Sequence, residues 1–373
     1  MTEPMGLYIH VPFCVSKCPY CDFYSLPGTD DDRLDAYTAA VEREMQKMHE
    51  RYAAPADTLY FGGGTPSLLG GKRIARLIEI ADTLWGLNSA EITIEANPGD
   101  DLQELLADFV AAGGNRLSLG MQAVRENELA SLGRRHTHTQ TVNAVEVAHR
   151  VGIDNISLDV MVGIPHQTTD TAIEAVEEAA RLGATHLSAY LLKIEEGTPF
   201  AANRTTLTLP DEEMADRYLA VVKAAEDHSF AQYEISNFAK DGKVSRHNLK
   251  YWNQTPYLGI GPSAHSYVDG KRWYYPRDLA AFMAGNDPLP EDPEELAVTD
   301  GSPEEYLMLR LRLTEGLTED GFLARFGHPI PQNWRKRTMG LPTTLLTVDD
   351  GGIRLTPEGM LVSNAIIAYI LDM

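Results

Sequence analysis

Tyr8-Ile9-His10-Val11-Pro12-Phe13-Cys14-Val15-Ser16-Lys17-Cys18-Pro19-Tyr20-Cys21-Asp22-Phe23 decides the reading of this chain. All three cysteines of its 373 residues fall inside this stretch, spaced C-x3-C-x2-C. Three thiols cannot all pair as disulfides, but a backbone loop can aim them at one soft metal centre. Structural zinc takes four protein ligands, so a zinc ion here needs a fourth from elsewhere in the chain. A 4Fe-4S cluster held by three thiolates leaves one iron open, which makes sense if a small molecule chelates it. Three Cys serving only as small buried apolar residues would not be clustered in this way. The apolar run Leu7 to Val11 reads as a short strand. A strand running into a metal loop points to an α/β barrel with its site at the C-terminal strand ends.

Working outward, 43% hydrophobic and 23% charged residues are ordinary for a globular protein long enough for one large and one smaller domain. The charge balance, 32 − 54 = −22, disfavours DNA or RNA as a partner and any broad contact with an anionic membrane. No apolar run is long enough for a membrane span, which leaves peripheral contact with a membrane-bound acceptor as the remaining membrane role. The strand and Cys loop begin so early that no secretory signal precedes them, and reduced metal-binding cysteines fit a cytoplasmic location.

Short apolar runs alternate with helical patterns through the first two hundred residues. Strands are expected near Leu7–Val11, 58–61, 91–96, 116–121, 155–160 and 185–192, with helices between them. Asp30 to Asp32 cap and charge the first helix, and Gly62-Gly63-Gly64-Thr65-Pro66 follows the second strand directly. Six such units predict parallel pairing in an α/β fold, a partial (β/α)6 barrel with its polar residues along one rim. Residues 1–200 form this barrel with the Cys loop. Residues 201–290 extend it and carry Arg246-His247-Asn248-Leu249-Lys250-Tyr251-Trp252 and Gly261-Pro262-Ser263-Ala264. The Pro- and acid-rich segment 288–293 reads as a linker. Residues 291–373 form a small C-terminal helical, winged-helix-like domain with a hairpin at Asp349-Asp350-Gly351-Gly352 and a closing helix from Pro357 to Leu371. Given the charge, this domain is expected to cap the barrel mouth and not to bind DNA.

The Cys loop, with an aromatic Tyr20 before its third Cys, resembles the radical S-adenosylmethionine (SAM) superfamily. Tyr8-Ile9-His10-Val11-Pro12-Phe13-Cys14, the Gly62–Pro66 turn, Gly163-Ile164-Pro165 and Gly261–Ala264 resemble its oxygen-independent coproporphyrinogen III oxidase group over essentially the full length. Two features depart from the oxidase proper. Phe23 stands where the oxidase keeps a fourth Cys, and His247-Asn248-x-x-Tyr251-Trp252 resembles the signature of the oxidase-like heme chaperones.

That resemblance implies Cys14, Cys18 and Cys21 on three irons of a 4Fe-4S cluster, with the methionine end of SAM on the fourth. Cleavage of SAM then gives methionine and a 5′-deoxyadenosyl radical. It also implies an electron donor such as flavodoxin or ferredoxin. Tyr20 matches a SAM-lining position, Gly64 and Thr65 belong with Gly63 to the turn towards the SAM methionine group, and Tyr8, Gly63, Glu95 and His265 match the first SAM site. Gln122, Arg134, Asp159 and Lys193 match the oxidase's second one, which a chaperone has no decarboxylation to justify. Taken alone, the Gly turn is an ordinary tight connection, and a strand-end Glu95 is ordinarily solvated.

His247 is the candidate heme contact, with Tyr251 and Trp252 to stack on the porphyrin and His136 and His138 as weaker alternatives. The competing reading makes His247 a turn residue bonded locally and the two aromatics core. The expected function is a heme chaperone that passes heme to an acceptor protein, with 4Fe-4S, SAM and heme as cofactors. The alternative is oxidative decarboxylation of coproporphyrinogen III, and a DNA-binding or redox regulator is a third class that the charge disfavours.

Overall fold

The computed structural model describes residues 3–290 and 300–373. The part of the expected linker at 291–293, with the start of the expected C-terminal domain, lies outside the described residues. Six parallel strands appear where the apolar runs predict them: β1 Met5–Val11, β2 Ala56–Gly63, β3 Glu91–Ala96, β4 Arg116–Gln122, β5 Ile156–Val162 and β6 His186–Leu191. They lie side by side in chain order. Each is buried along nearly its whole length, as strands covered on both faces are, although polar residues such as Thr93, Ser118 and Ser157 alternate with the apolar ones. The connecting helices stop and start on local signals. Asp30 accepts from the Arg33 amide at the first helix, Asp31–Arg51. Thr137 and Thr168 cap His138–Arg150 and Thr169–Arg181 with reciprocal capping boxes.

The six units are the centre of a larger sheet. Strand Tyr257–Ile260 comes from much later in the chain and pairs parallel to β1, giving a seventh parallel strand. Antiparallel strands extend both edges, through His265–Val268 on one side and Asn237–Ala239 on the other, to a 12-stranded sheet among the described residues. No sequence period reveals that seventh neighbour, because the four residues Tyr257–Ile260 are too short to show one.

Residues 300–373 have their own core around Leu307, Phe322, Trp334, Ile353 and Ile366. The hairpin is present as Leu346–Asp349 against Gly352–Leu355. The closing helix is broken at Val362 into Pro357–Leu361 and Ser363–Leu371. This unit does not cap the mouth. Glu305 is bonded by Gln254 and Arg272, and Asn253 accepts from Arg310, so it docks beneath the sheet on the helix Arg246–Asn253 and the adjoining hairpin. No described helix is long and apolar enough to cross a membrane.

Candidate functional site

At the top of β1 the chain turns through Pro12 and forms a loop whose base is pinned three times. The Leu26 amide donates to the Pro12 carbonyl at 2.7 Å, Gly28 to Cys14 at 3.0 Å, and Cys21 to Cys18 at 3.1 Å. Beside it runs the turn after β2, with Gly64 donating to the Val11 carbonyl at 2.8 Å and Thr65 to the Phe13 carbonyl at 2.7 Å. The glycines there serve this chain-to-chain contact. A Cβ on Gly64 would sit 2.5 Å from the Phe13 carbonyl oxygen, and one on Gly63, at φ +111°, 2.6 Å from the His10 ring.

Between this loop and the ends of β3 to β6 lies a cavity of about 440 Å³. Cys14, Cys18, Cys21 and Tyr20 form one side, with Gly63, Gly64 and Thr65 next to them. Glu95, Gln122 and Asp159 face them from the strands, and Arg134 from the loop after the helix Glu126–Ser131. The three thiols are unpaired and half-buried. Among the described residues they do not converge as a single-ion site, and a cubane takes each thiolate on a different iron.

A hydrogen-bonded belt joins two of the thiols. The Thr65 hydroxyl donates to Cys14 Sγ at 3.4 Å, and Asn97 Nδ2 donates to Thr65 Oγ1 at 3.1 Å. Arg134 donates to Asn97 Oδ1 at 2.6 Å, to the Gly120 carbonyl at 2.9 Å and to Cys18 Sγ at 3.8 Å. Glycine at 120 makes room for this, since a Cβ there would lie 2.9 Å from Arg134 Nη2. A cation and a hydroxyl aimed at sulfur suit thiolates that carry a metal cluster.

Deeper, two carboxyls sit where they resist ionisation. Burial pushes Glu95 up to about 7, against donation from the Tyr60 hydroxyl at 2.9 Å and the Gly63 amide at 3.1 Å. Burial pushes Asp159 up to about 6, with Ser188 and Arg116 opposing. A cationic ligand in the cavity would draw both toward the charged form. Gln122 adopts φ +66° at an irregularity in the β4–β5 pairing, the kind of strained non-glycine backbone that concentrates at functional sites.

Three residues expected at the SAM sites, Tyr8, Lys193 and His265, do not line this cavity. Tyr8 is one step behind it. His10 Nε2 is 2.9 Å from the Tyr24 carbonyl, so that nitrogen carries the proton and Nδ1 accepts from the Tyr8 hydroxyl at 3.1 Å. Burial lowers His10 to about 4, so it stays neutral and braces the Cys loop. Lys193 is exposed and paired with Glu195 at 2.7 Å. His265 is exposed and stacks on Tyr274 at 5.3 Å.

His247 is buried in the core beneath the cavity. It is 1% exposed and stacks against both the Tyr8 and Tyr60 rings, with Nδ1 2.8 Å from the Thr58 hydroxyl and Nε2 2.8 Å from the Tyr251 hydroxyl. The amides of Arg246 and His247 both donate to Glu91, which starts β3. Gly6, Thr58 and Glu91 are register partners at the N-terminal end of the sheet. A Cβ on Gly6 would lie 2.7 Å from Lys250 Cδ and 3.1 Å from the His247 ring. The motif helix thus plugs the barrel's base, roughly 16 Å (five residues of strand rise) from the level of Gly63. Both ring nitrogens of His247 are engaged in a closed core, to Thr58 and Tyr251. His136, buried and bonded to the Met121 carbonyl at 3.2 Å, and His138, 2.5 Å from Glu178, are also occupied.

The sequence reading missed Asn97, Ser118, Met161, Tyr190 and Glu195, all of which line the cavity. Asn97 and Tyr190 stand at the ends of β3 and β6, where the alternation of the strand could have flagged them.

Residues 8–179 match the family model described as the Radical SAM superfamily, and 302–362 match the HemN C-terminal domain. The heme chaperone HemW of Mycobacterium tuberculosis is 36% identical over 382 residues, covering 99% of this chain and 95% of that protein. The heme chaperone HemW of Bacillus subtilis is 33% identical, covering 98% of each. The chain belongs to the HemW family. The coproporphyrinogen III oxidase HemN of Escherichia coli matches its fold with a TM-score of 0.81 at 21% identity, over 98% of this chain and 90% of that one. Membership of HemW in the radical SAM superfamily implies a 4Fe-4S cluster and SAM, and the cavity's chemistry fits both: three free thiols with sulfur-directed donors at the rim, and two carboxylates within reach of a cation.

Proposed function

We propose that this HemW-family protein is a heme chaperone: it binds heme and passes it to an acceptor protein. The observation that carries the reading is end-to-end similarity to relatives named heme chaperones, together with Phe23 presented at the cavity mouth where the oxidase group has a thiol. Cys14, Cys18 and Cys21 hold a 4Fe-4S cluster, which supplies a one-electron reductant for SAM when bound. An electron carrier of the flavodoxin or ferredoxin kind supplies the electrons.

The chain's own residues do the rest. Thr65 and Arg134 donate to the thiolate sulfurs and offset their charge. Glu95 and Asp159 ionise as a cationic amine or sulfonium enters and hold it by charge. Gln122, Gly63, Gly64 and Tyr20 shape the walls, and His10 and Tyr8 brace the loop from behind. Lys193 and His265 act from the outer rim.

Hemin titration of the anaerobically reconstituted full chain tests the reading, followed by mixing with an apo heme protein. A saturable Soret shift near one equivalent, with transfer to the acceptor, is expected. Absence of the shift, or steady protoporphyrinogen formation from coproporphyrinogen III with SAM and reductant, would replace the reading.

A further inference from the structure

Beneath the cavity the barrel interior holds a buried cation. On β4 the residues Arg116, Ser118, Gly120 and Gln122 share one face by strand alternation. Ser118, Gly120 and Gln122 line the cavity, so Arg116 is the next inward position below it. It pairs in register with Thr93, one layer under the pair Glu95 and Ser118. Strand spacing and rise put the Arg116 and Glu95 Cα atoms roughly 8 Å apart, within reach of an arginine side chain.

Arg116 is 2% exposed. Among the described residues it is in no ion pair, and its Nε and the neighbouring Thr93 Oγ1 have no hydrogen-bond partner. A guanidinium taken out of water is costly without an anion close by. The strands turn three carboxyls inward, Glu91, Glu95 and Asp159. Glu91, at the base, is engaged by the amides of Arg246 and His247. Glu95 and Asp159 face Arg116 from either side of β4, and Ser118 Oγ, two residues above it, lies 3.4 Å from Asp159 Oδ1. Burial raises both carboxyls, and the Arg116 charge acts against it at each.

The other groups around them carry no charge. Burial keeps His186 and His247 neutral. It also keeps the phenols of Tyr60 on β2, Tyr190 on β6 and Tyr233 protonated, with those of Tyr8 and Tyr251 behind. Arg134, on the cavity side, spends its hydrogen bonds on Asn97, Gly120 and Cys18.

We infer that Arg116 is a positioning residue for the cationic end of SAM: a fixed charge under the cavity floor that lets Glu95 and Asp159 hold negative charge for that ligand to meet. This rests on the reading of the cavity as a SAM site. One ionised carboxyl balances Arg116, and the second ionises against the ligand.

The test is binding of labelled SAM to the reconstituted full chain by equilibrium dialysis, between about pH 5 and 8.5. At roughly 8 Å and an effective dielectric near 20, the Arg116 charge is worth about one to two pH units to a facing carboxyl. Arg116→Met should therefore move the midpoint of the pH profile up by about one unit and weaken binding at pH 7 about fivefold, while affinity at pH 8.5 stays within about threefold of wild type. Arg116→Lys, which keeps the charge, should hold the midpoint within about half a unit. A loss in Arg116→Met that is equal at every pH marks a packing role and overturns the inference, as does an unmoved midpoint. Wild type that binds no SAM at any pH overturns the cavity reading itself. Glu95→Gln with Asp159→Asn covers failure of Arg116→Met to fold. With both anions gone the guanidinium is an uncompensated buried charge, so adding Arg116→Met to that variant should raise its melting temperature. A melting temperature that does not rise overturns the inference.

Discussion

Replacing Arg134 with Met removes a guanidinium whose hydrogen bonds go to Asn97, Gly120 and the sulfur of Cys18. Among the described residues it is in no carboxylate ion pair, so a cluster held by the thiolates would be the anion it faces. At 3.8 Å from Cys18 Sγ, and with an effective dielectric near 20, a unit charge pair is worth about 4 kcal/mol. For a one-electron couple that is roughly 170 mV. The added electron spreads over the whole cubane, farther from Arg134 than the sulfur, so a shift on the order of 100 mV is expected. Its sign follows from charge: loss of a neighbouring cation disfavours the extra electron, so the potential becomes more negative. Spectropotentiometric titration of the reconstituted cluster measures this directly, and Arg134→Lys should show a smaller change. A potential within about 20 mV of wild type at equal iron loading, or one shifted positive, would refute the assignment of Arg134 as the cluster's counter-charge.

Four further outcomes follow. His247→Ala should cost about 2–4 kcal/mol in denaturant unfolding, through a lost buried ring and two orphaned hydroxyls, yet leave the hemin midpoint unchanged; a lost Soret shift in a folded variant would restore His247 as a ligand. SAM affinity should rise as pH increases through 6 to 7, because Glu95 at about 7 and Asp159 at about 6 must lose protons to hold a cation. The same raised values mean that the folded state keeps protons the unfolded chain has released. Stability without ligand should therefore fall as pH rises from about 4, where the unfolded carboxyls ionise, to about 7, and denaturation at a series of pH values checks the sign. Gly64→Ala places a methyl 2.5 Å from the Phe13 carbonyl oxygen and should displace the Cys loop; iron content after reconstitution equal to wild type would show that the turn can yield.

What was legible in the sequence lay close together along the chain. The C-x3-C-x2-C spacing specified a three-thiol metal loop. The six apolar runs specified a parallel α/β sheet, since strands buried on both faces need a continuous apolar run and a covering helix between them. Tertiary structure decided what depends on register between distant strands. It placed Asn97 and Arg134 in one belt from Cys14 to Cys18, although they are 37 positions apart. It also added Tyr257–Ile260 beside β1. The His247 motif shows the limit most clearly. Its composition is that of a ligand site, and only the pairing of Gly6, Thr58 and Glu91 beneath it shows a plug at the opposite end of the barrel from the thiols. Phe23 illustrates the reverse case: its identity was plain in the sequence, but whether the ring was core or rim depended on the fold of the loop around it, and there it is exposed. Spacing along a chain sets which groups can share a loop, while burial and hydrogen-bond partners, which set their chemistry, exist only once the sheet has closed around them.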